Sequence, residues 1–122
     1  MTEELIQLTG ANPAACMSCG KCSAVCPAFS RMEIPPHRFA ALARKGQLAK
    51  LAETEGIFLC LSCYACSQRC PRGVEPARIS EAARLYRLRT GVNRFIPEQL
   101  SALNDPSLPG QAAAAAFRKY RR

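Results

Sequence analysis

The chain places all eight of its cysteines in two runs of identical spacing. The first is Cys16, Cys19, Cys22 and Cys26, closed by Pro27; the second is Cys60, Cys63, Cys66 and Cys70, closed by Pro71. Both read C-x2-C-x2-C-x3-C-P, a pattern by which chains hold [4Fe–4S] clusters. The geometry of a cubane explains the spacing, since each of its four irons takes one thiolate. Three cysteines set two residues apart wrap three corners from one tight loop, and the fourth thiolate arrives from a more distant point of the chain. In two-cluster proteins the fourth cysteine of each run serves the other cluster. The expected sites are therefore Cys16, Cys19 and Cys22 with Cys70, and Cys60, Cys63 and Cys66 with Cys26. Two [4Fe–4S] clusters are the expected cofactors, with all eight thiolates as their metal ligands.

Two other uses of eight cysteines compete with this one. Four disulfides would require an oxidising compartment. Zinc takes tetrahedral sets, usually from paired C-x2-4-C units, and the triple spacing followed by Cys-Pro suits a cubane better. Ser18, Gly20, Ser23, Ser62, Ala65 and Ser67 fill the loops. Such small side chains let backbone N–H groups approach the sulfurs and tune the clusters. Pro27 and Pro71 lack an N–H and fix φ, turning the chain away after the fourth cysteine. Gly73 allows a tight turn after the second run.

Composition agrees with a chain held together partly by its cofactor. Over 122 residues the hydrophobic share is 48%, but Trp is absent and aromatics make up 7%. The apolar core is thin, and a bound cluster is a staple that compensates. No apolar run approaches the roughly 20 residues of a membrane-spanning helix. The acidic start, Met1-Thr2-Glu3-Glu4-Leu5, lacks the basic and apolar regions of a secretory signal. The cytoplasm, where thiols stay reduced, is the expected location. The formal charge is +8. Each oxidised site contributes about −2, so the loaded protein falls to roughly +4. That is too mild to argue for nucleic acid as a partner.

Helical periodicity accounts for most of the remaining sequence. Residues 2–9 carry Leu5, Ile6 and Leu8 as a short amphipathic helix, broken by Asn12-Pro13. Residues 21–26 make one or two turns before Pro27. Pro35-Pro36 starts a helix with Phe39, Leu42 and Ala43 as its stripe, stopped by Gly46. Residues 47–55 form another, with Leu48, Leu51 and Ala52 on one face, ended by Gly56. Ile57-Phe58-Leu59 then leads into the second loop. Pro76 opens the longest helix, which runs to Gly91 and buries Ile79, Ala82, Ala83 and Tyr86, with Leu85 and Leu88 widening that face. Beyond it come a connector at 93–96, a helix at 97–103, a loop at 104–110 and an Ala-rich, basic-ended helix at 111–122. No period-2 strand pattern occurs. The expected class is all-α: clusters held between short helices in residues 1–92, followed by a helical, basic extension over 93–122.

The segments Cys19-Gly20-Lys21-Cys22 and Cys70-Pro71-Arg72-Gly73-Val74, with the helical spacer between them, resemble the C subunit family of heterodisulfide reductase. The resemblance covers about residues 1–92. It implies a helical ferredoxin-like fold, similar also to the cluster-bearing half of succinate dehydrogenase iron–sulfur subunits. It implies as ligands Cys16, Cys19, Cys22, Cys26, Cys60, Cys63, Cys66 and Cys70. It further implies an electron relay between an A-like flavoprotein subunit and a B-like cysteine-rich subunit, with relatives in sulfur metabolism. On this reading the chain is a non-catalytic electron-transfer subunit, because no vacant iron or acid–base pair is left for chemistry of its own. A stand-alone two-cluster shuttle is the alternative. A cluster-sensing regulator would need a nucleic-acid-reading element, and none is recognised.

Four further features invite a functional or a plain reading. His37, the one histidine, is expected to be a surface residue at a helix start. Tyr64 either shields a cluster or packs beside the loop. Arg69 and Arg72 flank Cys70, where cations would favour the reduced state of a cluster; the plain reading is solvated arginines. Arg118, Lys119, Arg121 and Arg122 either complement a helix dipole or dock on an acidic partner subunit.

Overall fold

The computed structural model describes residues 2–91, and beyond them Gln99, Ala102, residues 105–107 and 109–111, and Ala115. Contacts divide the chain into two units, Met1–Gly91 and Val92–Arg122. The expected elements over 93–122, including the basic terminus, lie almost wholly outside the described residues. Within the second unit, the Ser107 N–H donates to Asp105 Oδ1 at 2.8 Å, which holds that carboxyl below its usual range.

The first unit is all-α and helical ferredoxin-like, with no strand among the described residues. Its helices are α1 (Thr2–Thr9), α2 (Lys21–Ala24), α3 (Pro36–Arg44), α4 (Leu48–Ala52), α5 (Gly56–Leu59), α6 (Ala65–Arg69) and α7 (Pro76–Arg89). Short 3₁₀ turns at Pro13–Ala15 and Phe29–Arg31 precede and follow the first cysteine run. Helix α7 is the spine, and α1, α3, α4 and α5 all pack on it. Leu5, Leu48, Leu51, Ile57, Val74, Ile79, Ala82 and Ala83 form the buried centre of that packing. Ser80 is buried among them and satisfied, its hydroxyl donating to the Ile57 carbonyl at 3.4 Å.

The punctuation residues act as their chemistry dictates. Pro36 and Pro76 each open a helix at its first turn, where a missing N–H costs nothing. Gly46 takes a φ of +68° just past α3, and the Gln47 N–H reaches back to the Leu42 carbonyl at 2.9 Å. That left-handed cap is a glycine's natural place.

Two expectations fail here. Gly56 does not end a helix; it begins α5, after α4 has already stopped at Ala52. Its role is proximity. The Gly56 N–H donates to Glu33 Oε2 at 2.8 Å, and a Cβ would stand 2.6 Å from that oxygen. Leu88 does not widen the buried face of α7 but is 47% exposed. At about 100° per residue it lies roughly 180° from Ile79, on the opposite side of the helix. Ile79, Ala82 and Ala83 are buried, while Leu85 and Tyr86 are partly so.

Candidate metal centre

The two cysteine loops repeat a backbone conformation as well as a spacing. Ser18 and Ser62, the second residues after the leading cysteines, have φ of 58° and 52°. Gly20 and Tyr64, directly after the second cysteines, have φ of 77° and 59°. The paired left-handed residues curl each loop, and each then enters a short helix, α2 or α6, carrying the third cysteine. Gly20 adopts this conformation freely, whereas an aromatic residue there costs about 1–2 kcal/mol. The Tyr64 hydroxyl is anchored at 2.7 Å on Glu81 Oε1 of α7. That hydrogen bond, more than burial, raises the phenol's pKa.

Folding joins cysteines across the runs. One small cavity, of about 20 Å³, is lined by Cys16, Cys19, Cys22 and Cys70. A second, also of about 20 Å³, is lined by Cys60, Cys63, Cys66 and Cys26. The fourth cysteine of each run thus lines the cavity of the other. The halves are also tied by protein contacts: the Asn12 N–H donates to the Val74 carbonyl at 3.1 Å, and Arg72 Nε donates to the Ala15 carbonyl at 3.3 Å. Pro36 and Pro76 line both cavities. The N-termini of α3 and α7 therefore stand between the sites, and their positive dipole ends suit anionic occupants.

The donor set fits an iron–sulfur cubane. All eight cysteines are free thiols. Among the described residues no three His, Cys, Asp or Glu side chains converge on a point as one ion requires; tetrahedral zinc would draw its sulfurs to about 2.3 Å. Here four cysteines line each cavity instead. The Ser18 N–H donates to Cys16 Sγ and the Val74 N–H to Cys70 Sγ, each at 3.4 Å. The Ser67 hydroxyl is buried beside Cys66 and acts on that thiol, opposing the rise in its pKa. In the metal-free chain burial pushes the Cys66 thiol up to about 11, with Cys60 and Cys22 adding to the effect. Burial raises Cys22 likewise.

Cys19 and Cys63 are exposed, and the other six cysteines are half-buried. Two residues before each lies an exposed apolar residue, Met17 at 55% and Leu61 at 70%. Each site therefore has one edge open to the surface.

Other residues are placed differently from expectation, or were not expected at all. His37 is not a free surface residue. It lines the first cavity, and both its Nδ1 and its backbone N–H lie 2.9 Å from the buried Ser23 hydroxyl, fastening α3 to α2. Tyr64 lines the second cavity. Arg72 lines the first, while Arg69 lies with Lys21 along a surface recess. Arg84 braces the second loop from α7, donating through Nε to the Ile57 carbonyl at 2.7 Å, through Nη1 to Ser62 Oγ at 3.1 Å, and through Nη2 to the Cys60 carbonyl. Nothing in the sequence separates Arg84 from its basic neighbours. Its one signal is a place on the helix that follows the second run.

Comparison with known proteins agrees with this geometry. Residues 13–74 match the family described as the 4Fe-4S dicluster domain. The chain is 33% identical over 107 residues to the C subunit of the ferredoxin/F420H2-dependent CoB-CoM heterodisulfide reductase of Methanosarcina acetivorans, covering 82% of this chain and 66% of that one. It is 35% identical over 77 residues to the C subunit of the ferredoxin:CoB-CoM heterodisulfide reductase of Methanosarcina mazei, covering 61% and 47%. A third relative, the iron–sulfur C subunit of the CoB–CoM heterodisulfide reductase of Methanopyrus kandleri, is 35% identical over 80 residues, covering 63% and 40%. The matches thus span from 40% to 66% of these relatives' own lengths.

Proposed function

The chain belongs to the 4Fe-4S dicluster domain family and carries two [4Fe–4S] clusters, and from that premise we propose that it relays electrons within a heterodisulfide-reductase-like complex. It takes electrons from a flavoprotein subunit and gives them to a cysteine-rich catalytic subunit, or the reverse, without catalysing a bond change itself. Residues 1–92 do this work, with Cys16, Cys19, Cys22 and Cys70 holding one cluster and Cys60, Cys63, Cys66 and Cys26 the other. The cytoplasm is the setting; among the described residues no helix is long and apolar enough to cross a membrane.

The observation that carries the reading is the division of eight cysteines into two fours, each completed from the opposite run. With four thiolates apiece the irons have no free position, so electrons enter and leave without substrate bonding to metal. The clusters supply the redox chemistry. The protein's part is to hold them beside each other, to shield them except at Cys19 and Cys63, and to place the helix N-termini of α3 and α7 against their charge. The relatives' place as C subunits of heterodisulfide reductases supports assembly with larger redox subunits.

The test is anaerobic affinity purification of the tagged chain from its native host. The expected result is stoichiometric recovery of a flavoprotein and a cysteine-rich protein, with iron and sulfide in the amounts two cubanes require. Recovery of the chain alone, loaded with clusters and able to exchange electrons with several unrelated enzymes, would instead establish the free shuttle. Zinc in place of iron would end both readings.

A further inference from the structure

The two cavities match in cysteines and nearly in volume, yet they differ in charge. The first is lined by Lys21, His37 and Arg72, and Arg69 lines a surface recess together with Lys21 on its flank. Among the described residues, none of Lys21, Arg69 and Arg72 forms an ion pair. The second cavity has no charged side chain in its lining. Charges behind its wall come in opposite signs. Arg84 holds the Cys60 carbonyl while Glu81, one turn earlier on α7, holds Tyr64. Glu75 pairs with Arg78 at 3.7 Å and Glu55 with Arg87 at 3.0 Å. The dipoles of α3 and α7 act on both sites, since Pro36 and Pro76 line both.

Reduction adds one negative charge to a cluster, and unpaired cations nearby favour that state. The first cavity is lined by two such cations, Lys21 and Arg72, with Arg69 in the adjoining recess. The second site has one cation, Arg84, held behind its wall on the Ile57 and Cys60 carbonyls and the Ser62 hydroxyl with the Glu81 carboxylate one turn away, and one neutral donor, the Ser67 hydroxyl. One cation and a dipole act more weakly than the group of cations at the first site. Granting the two-cluster reading above, we infer that the site of Cys16, Cys19, Cys22 and Cys70 has the higher reduction potential. An electron delivered at the second site then passes on to the first. The second site loses one electron and the first gains it; no bond forms or breaks and no proton is required. Because Lys21, Arg69 and Arg72 are all exposed, the bias weakens as salt rises, the screening length falling to about 3 Å at 1 M.

The experiment is a potentiometric titration of the full, anaerobically loaded chain, followed by electron paramagnetic resonance. Two one-electron steps are expected, separated by at least a tenfold preference, about 59 mV. The paired substitution Lys21→Gln with Arg72→Gln should lower the upper step, leave the lower one in place, and so narrow the gap. Ser67→Ala should lower the lower step and widen it. Lys50→Gln, at an exposed position of α4 that lines neither cavity, should move neither. Two coincident steps, or a double variant that shifts the lower step instead, overturn the assignment. Iron and sulfide short of two cubanes in the unmodified chain overturn the two-cluster reading itself, and the inference with it.

Discussion

Cys70 closes the second run in sequence but lines the first cavity, and Cys26 is its counterpart. This crossing makes a sharp prediction. Cys70→Ser should leave the same surviving paramagnetic signal as Cys16→Ser, and a different one from Cys60→Ser, although Cys60 shares its run. Signals grouped by run instead would show that each run closes its own site. The Cys66 thiol sets a second prediction. Its ordinary value of 9.0 is pushed up to about 11 in the folded metal-free chain, mainly by burial. The unfolded chain therefore ionises first, so this group's contribution to folding is complete below pH 9.0 and is lost as pH rises through about 11. A cluster needs the thiolate, so loading expels the proton. Reconstitution at moderate alkalinity should outpace that at neutral pH, with proton release measurable by calorimetry in buffers of differing ionisation enthalpy. Arg84 provides the third. Removing its three hydrogen bonds, one to α5 and two to the second loop, in Arg84→Ala should cost about 2–3 kcal/mol in urea denaturation of the loaded protein. Arg84→Lys should recover little, because an ammonium lacks the planar fork that reaches three acceptors.

At the level of elements, Gly56 is the most informative position. Gly56→Ala should cost about 1 kcal/mol, since the new methyl displaces Glu33 Oε2 from the α5 N–H it caps. A chemical-denaturation midpoint would register this, and a neutral or stabilising result would mean the glycine serves only as a break. The same residue shows where sequence is an incomplete guide. Pro36, Gly46 and Pro76 announce helix boundaries through local chemistry, and so they are legible one residue at a time. Gly56 answers to a carboxylate 23 residues away, and no local pattern carries that. The cysteine loops lie at the legible extreme, because their repeated spacing is written within a few residues. Arg84, Glu81, His37 and Ser23 lie at the other, their contacts depending on how α3 and α7 close over loops far along the chain. Leu88 departs from expectation for a simpler reason: its apolarity says nothing of its angle around the helix.

For the molecule as a whole, the helices of residues 2–91 enclose two sulfur-lined spaces with a modest apolar centre beside them. Much of the stability must come from what fills those spaces. Stripping the iron with a chelator under reducing conditions should cost several kcal/mol and lower the thermal midpoint by more than about 10 °C, as followed by far-ultraviolet circular dichroism. An unchanged midpoint would mean that the helices stand without the cofactor. The wall shared by the two spaces bears on a different property. It is built in part from the rings of Pro36 and Pro76, which carry neither a titratable group nor an amide hydrogen. These rings furnish no relay for hydrons across the septum, so charge crosses it unaccompanied, and internal transfer followed by flash photolysis should run at equal speed in heavy and ordinary water.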